Sequence, residues 1–160
     1  METTRHFVAT VYVVNDGATL LHEHERLDMW LPPGGHIDRD ELPHEAALRE
    51  CHEETGIEAD LVADSGALES DTARSLPEPA HFLLEDINVH DGEVGHQHVD
   101  FVFYGAADTR TVVPAGDDEA DPSLWEWFTR EDLRERADDL PDDVVEVGLA
   151  AIAAVEGQNG

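Results

Sequence analysis

The sequence predicts an α+β fold, a mixed β-sheet covered by helices, on three observations. Runs rich in β-branched and aromatic residues recur at 6–14, 81–89 and 98–104, and the last alternates Val99, Phe101 and Phe103 with His98, Asp100 and Val102. Helix start and stop signals bracket residues 43–56, and a second start follows Pro141. Turn residues separate these segments, so hairpins and helices must share layers around a common core. With 160 residues and 41% hydrophobic content, one domain spanning 1–160 is expected.

Taken in order, HFVATVYVV at 6–14 reads as a strand, Asn15, Asp16 and Gly17 as a turn, and ATLLHEH at 18–24 as the returning strand. Pro32, Pro33, Gly34 and Gly35 then punctuate the chain. Pro43 suits the first turn of a helix running to about Thr55, with Gly56 as its stop. Residues 60–68 and 81–89 are expected strands on either side of the polar stretch 69–80, and residues 91–95 turn the second of them into the strand at 98–104. Residues 124–128 form a short strand candidate, and Thr129 to Asp132 resembles a capped helix start. Asp142 and Asp143 suit the first turn of a final helix, where the helix dipole favours negative charge.

Acids outnumber bases 38 to nine, every base is arginine, and the formal net charge is -29. The acids are dispersed among periodic apolar segments, which favours a folded, acid-coated surface over disorder. Such a surface repels itself at low ionic strength, whereas molar salt shortens the screening length to about 3 Å. The composition resembles that of cytoplasmic proteins from extreme halophiles. Nothing here could neutralise a run of phosphates through a basic stripe, so no nucleic-acid partner is expected. No stretch approaches the roughly 18 apolar residues of a membrane span, and the opening METTRHFVATVYVV lacks a basic segment followed by a hydrophobic run. A soluble cytoplasmic protein without a membrane partner is the expectation. The single cysteine, Cys51, excludes an internal disulfide and reads as a small core residue.

Residues 31–57, LPPGGHIDRDELPHEAALRECHEETGI, concentrate the chemistry. Each helical residue advances about 100°, so Glu50, Glu53 and Glu54 share a face. Ala46 and Ala47 are expected beside them, leaving that face uncluttered, while Leu48, Cys51 and Thr55 would form the packing seam. Like charges at this spacing disfavour a helix unless cations sit against it, and carboxylate oxygens select hard ions such as Mg²⁺ or Mn²⁺. A solvated face in an acidic chain would look similar, but the full spacing carries more information. Gly35, five residues, Glu41, seven residues, Arg49 and Glu50, Cys51, one residue, Glu53 and Glu54, one residue, Gly56 and Ile57 follow one another. This segment, 35–57, resembles the signature box of the Nudix hydrolases, the MutT-like family, with Cys51 in place of the first aliphatic residue as the only departure. Aspartate is as common as glutamate in the chain, yet all four acidic places hold glutamate. The flanks at 30–35 and 127–133 look like that family's usual surroundings.

The resemblance implies an α/β/α sandwich whose loop-helix-loop binds divalent metal and hydrolyses a diphosphate linkage in a nucleoside diphosphate linked to another moiety. Glu50, Glu53 and Glu54 would be the metal ligands, joined by the Gly35 carbonyl, with Arg49 holding the carboxylates and Glu41 as support. Cations there would neutralise both the glutamates and an anionic substrate. Glu54 or Glu119, on the loop 114–121, would take the water's proton, with Asp118 and Glu93 behind them. Gly34, Gly35, Trp30 and His98 are the residues expected against a small nucleotide substrate, with Phe7 and Tyr104 as aromatic alternatives. The pairs His22 and His24, and His96 and His98, read as ordinary in a chain with ten histidines. His96 and His98 nevertheless share a strand face with Asp100 and would meet phosphate or base if that face lines a pocket. Three auxiliary family signatures find no match. The first proline beyond the box is Pro77, no tyrosine lies between 58 and 103, and no coenzyme A signature precedes the box. Elimination leaves a nucleoside triphosphate or a nucleotide sugar. The competing class is a non-catalytic Nudix-fold binding or sensor domain, and a homodimer is compatible with the family.

Overall fold

A computed structural model describes residues 3–25, 27–90 and 92–158. At its centre β1 (Thr4–Asn15) runs parallel to β7 (Glu93–Ala106), in a register that sets His6 opposite His98 and Tyr12 opposite Tyr104. The turn after β1 places Asp16 at φ 46 and Gly17 at φ 77, the left-handed pair that a two-residue hairpin requires before β2 (Ala18–His24). β2 pairs in turn with β3 (Met29–Leu31) and β8 (Trp125–Thr129), while β4 (Gly34–His36) pairs with β1 over Val8 to Thr10. On the far side β7 carries β5 (Asp60–Val62) and β6 (His81–His90).

Helices cover both faces. α1 (Pro43–Thr55) lies on the side of Ala9, Val11, Val13 and Phe103; α2 (Arg130–Glu135) and α3 (Asp142–Gln158) lie on the side of Tyr12, Val14, Val102 and Tyr104. That arrangement is the α/β/α sandwich, and the alternation of β1 and β7 between two cores follows from the strand period of two. α1 starts at Pro43 and ends on Gly56 at φ 75, as the sequence predicts. Thr129 caps α2 through Asp132, also as predicted.

Three expectations need correction. The strand expected over 60–68 stops at Val62, and beyond it Ser65 and Glu69 make only isolated bridges. The Gly34–His36 segment, read as punctuation, is a strand, because a Cβ at Gly34 would collide with Thr10 and only glycine lets the two backbones approach. Ala46 and Ala47 are fully buried against the sheet with Cys51, whereas Leu48 stays half-buried at the edge. Their small side chains bring α1 close to β1, and the carboxylates therefore sit at the margin of that contact.

Among the described residues, ion pairs at 4.0 Å or less involve only Arg49, Arg130 and Arg136, so most carboxylates face solvent without a cation. Raising NaCl from 0.1 to 2 M is expected to raise the thermal unfolding midpoint by roughly 10 °C, equivalent to about 3 kcal/mol. A midpoint indifferent to salt would show that charge repulsion does not limit this fold.

Candidate metal and nucleotide site

Arg49 organises the carboxylates of α1. Its Nε and Nη2 donate to the two oxygens of Glu41 at 2.6 and 2.9 Å, its Nη1 donates to Glu50 at 2.8 Å and Glu53 at 3.1 Å, and Nη2 also reaches the His36 carbonyl at 3.1 Å. Glu41 additionally accepts the Asp38 N–H at 2.9 Å, so it ties the incoming loop to the helix. The Arg49 hydrogen bond holds the Glu41 carboxyl below its ordinary range.

Glu54 points the other way, accepting the Gly34 N–H at 2.9 Å across the β4 entry. Burial, then the charges of Glu50, Glu119 and Glu53, push its carboxyl up to about 8 against the opposing Gly34 bond. Burial likewise raises Glu50, which lies against Gly35, where a Cβ would meet the Glu50 carboxylate at 2.5 Å. Only glycine lets that carboxylate sit on the backbone.

The loop 114–121 closes the group. Ala115 and Gly116 N–H donate to the Glu53 carbonyl at 3.0 and 2.9 Å, beyond the last turn of α1. This brings Glu119 into the field of Glu53, and burial together with the charges of Glu53 and Asp118 raises its pKa. Asp118 adopts φ 58 on the exposed side of that loop, and Glu93 stands exposed at the start of β7. Glu50 and Glu53 thus share Arg49 with Glu41, while Glu54 and Glu119 lie close enough to feel the charge of Glu53 without a bond to that arginine. Glu50 and Glu53 turn onto Arg49 and Glu54 onto Gly34, so among the described residues no three metal-ligating side chains meet at one point. The donor set, all hard oxygen with surplus negative charge, fits a divalent cation.

Beside Glu54 opens a cavity of about 610 Å³ on the α3 side of the sheet. Val8, Thr10 and Tyr12 of β1, His98, Asp100 and Val102 of β7 and Leu83, Glu85 and Ile87 of β6 form its floor, with Gly34, Gly35 and His36 at the glutamate end. Its size and its mainly apolar walls with a few polar groups suit a nucleobase. His98, Gly34 and Gly35 all line this cavity. Trp30 does not. Its neighbours Met29 and Leu31 line the cavity, and the strand period turns Trp30 to pack edge-on against Phe128 at 5.2 Å, under the Arg136 guanidinium. Phe7 is exposed, Tyr104 is buried and bonded to His81 at 2.6 Å, and Trp125 is core, stacked on His22 at 4.3 Å.

Sequence reasoning missed Glu85, whose only local signal is a carboxylate inside the apolar run HFLLEDINV. It faces Asp100, which accepts from Thr10 Oγ1 at 3.2 Å. Burial first, then each other's charge and that of Asp143, raise Glu85 far above the carboxylate range, so the pair retains a proton at neutral pH. A folded pKa above the unfolded one contributes stability below the unfolded value and loses it as pH climbs through the folded value. Glu85→Gln is therefore expected to match the wild type at pH 4 and exceed it by about 1 kcal/mol or more at pH 9, measured by urea unfolding. A variant equally destabilised at both pH values would mean the pair is not strained by charge.

The family profile described as the NUDIX domain matches residues 4–147. This chain belongs to the Nudix hydrolases. It is 33% identical over 130 residues to the RNA pyrophosphohydrolase of Cereibacter sphaeroides, covering 79% of this chain and 76% of that one. It is 34% identical over 93 residues to the asymmetrical bis(5'-nucleosyl)-tetraphosphatase of Rattus norvegicus, covering 56% of this chain and 63% of the rat enzyme, under two thirds of its length. A Nudix-family hydrolase from Clostridium perfringens superposes with a TM-score of 0.77 at 28% identity, over 95% of this chain and 99% of that one. Among the described residues of this Nudix hydrolase, no helix is long and apolar enough to cross a membrane.

Proposed function

We propose that this Nudix hydrolase cleaves, with a divalent cation, a diphosphate linkage in a nucleoside diphosphate joined to a further group. One observation carries the reading: Glu50 and Glu53 bonded to Arg49, with Glu54 and Glu119 in their electrostatic reach, gather at the Gly34–Gly35 end of a base-sized cavity that Glu54 itself lines. Glu50, Glu53, Glu54 and the Gly35 carbonyl would hold Mg²⁺ or Mn²⁺. The cation supplies charge neutralisation and a more acidic water.

The remaining steps belong to the chain itself. The cavity takes the base, Gly34 and Gly35 let the phosphates pass close to the backbone, and Arg49 keeps Glu50 and Glu53 in place. Glu54 already spends one oxygen on the Gly34 N–H, whereas Glu119 has no hydrogen-bond partner among the described residues. Glu119 is therefore the better proton acceptor, and Glu54 the better ligand. The activities of the two relatives and the missing auxiliary signatures set the substrates worth testing.

The deciding experiment follows phosphate and pyrophosphate release in high salt with Mg²⁺. The panel holds a nucleoside triphosphate, a dinucleoside tetraphosphate, a nucleotide sugar and a 5'-triphosphorylated RNA. Metal-dependent turnover of at least one is expected, and Glu119→Gln should lower kcat on it by roughly a hundredfold without weakening Mg²⁺ binding. Binding of these compounds with no turnover of any would replace the enzyme with a nucleotide-binding domain.

A further inference from the structure

Four of the ten histidines converge on one place. β1 and β7 run parallel with His6 opposite His98 and Thr4 opposite His96, and β4 brings His36 opposite Val8. Even-numbered residues of β1 and β7 face the cavity side, so His6, His96, His98 and His36 are held on that face by sheet geometry alone. Ring centroids lie 5.1 Å apart for His6 and His36, 4.6 Å for His6 and His96, 5.1 Å for His96 and His98, and 5.8 Å for His36 and His98. His36 and His98 line the cavity beside Gly34, Gly35 and Glu54.

Two features set this cluster apart from its surroundings. Carboxylates number 38 in the chain, yet among the described residues none is hydrogen-bonded to any of the four rings. The only polar partners are internal or neutral: His6 Nδ1 and His36 Nε2 face each other at 3.1 Å, and His96 Nδ1 lies 2.9 Å from Thr4 Oγ1. His98 has no hydrogen-bond partner among the described residues although it borders the cavity. The second feature concerns the cations. Among the described residues no arginine lines the cavity; Arg5 donates to Gln97, Arg110 to Asn15, Arg130 to Glu156 and Arg136 to Glu126. A phosphate lying beyond the glutamates would find imidazole N–H groups among its nearest donors.

We propose that His6, His36, His96 and His98 form an anion subsite for substrate phosphate beyond the cleaved linkage, which makes the substrate a nucleotide carrying three or more phosphates. This rests on the hydrolase reading above and narrows it. A nucleotide sugar would present a neutral ring to the cluster and gain little from it, whereas a third phosphate would receive N–H donors that strengthen on contact with an anion. A transition metal is the competing ligand of such rings, but no three of the described side chains are arranged to hold one.

Binding and turnover test the subsite separately. Inorganic tripolyphosphate is titrated calorimetrically into divalent-free protein, wild type against a His6→Asn, His96→Asn, His98→Asn triple variant. Binding weakened by at least roughly tenfold in the variant is expected. In steady state the variant should raise KM for a nucleoside triphosphate about tenfold more than KM for a nucleotide sugar, which shares only the cavity contact of His98. Equal tripolyphosphate binding by both proteins, or equal KM changes on both substrates, overturns the subsite. So does one equivalent of Zn²⁺ retained through dialysis by the wild type and lost by the variant. If the wild type turns over no nucleotide, the hydrolase reading fails while the titration still decides the subsite. Should the triple variant unfold, His6→Asn alone, at an exposed position, gives the same readout.

Discussion

Glu53→Gln and Glu54→Gln are each expected to lower kcat by about a thousandfold or more while leaving the protein folded. The substitution keeps side-chain volume and, at position 54, an oxygen that can still accept the Gly34 N–H now bonded at 2.9 Å. What it removes is an ionisable carboxyl from a group crowded enough that burial and the charges of Glu50, Glu119 and Glu53 push Glu54 up to about 8. Metal-free variants should therefore unfold no earlier than the wild type, because relief of repulsion offsets any lost contact. Activity without charge at these positions would require another donor set. Steady-state rates with saturating Mg²⁺, read beside thermal unfolding curves, check both halves. Full activity in both variants would remove Glu53 and Glu54 from the ligand set.

The contrast between what local sequence dictates and what it leaves open runs through particular residues. Pro43 and Gly56 fix the ends of α1 because φ restriction and the left-handed stop act within one turn, and Thr129 with Asp132 does the same for α2. The glutamate spacing was legible for the same reason, since a helix converts sequence intervals into a face. β4 was not, because Gly34 and Gly35 carry no strand propensity of their own and are drafted into the sheet by the close approach of β1. Ala46 and Ala47 were placed on the wrong flank because a helix face is defined locally, while which flank meets the sheet depends on elements far away. The meeting of Glu85 with Asp100, and of His6 with His98, depends on pairing across β6, β7 and β1, which no local period encodes. Trp30 shows the reverse: the residue type suggested stacking, and one step of strand alternation sent it to Phe128 instead.

Arg49→Ala is expected to reduce kcat/KM by roughly 10 to 100-fold, with most of the loss appearing as a higher Mg²⁺ requirement. Arg49 makes five hydrogen bonds, to both oxygens of Glu41, to Glu50, to Glu53 and to the His36 carbonyl. Alanine leaves Glu41, Glu50 and Glu53 mutually repelling, and the loop 36–41 loses its tie to α1. Their side chains would spread, so the cation must order them before it binds. Arg49→Lys should recover little, because one ammonium cannot present the planar fork that spans Glu41 while also reaching Glu50 and Glu53. Two effects compete here, since Arg49 also occupies oxygens that a cation would use. If order matters more, Mg²⁺ affinity falls in both variants and excess Mg²⁺ restores part of the rate. If competition mattered more, Arg49→Ala would bind Mg²⁺ more tightly at unchanged kcat, and Arg49 would lose its positioning role. Titration of Mg²⁺ against initial rate, with the same titration followed by calorimetry, separates the two directly.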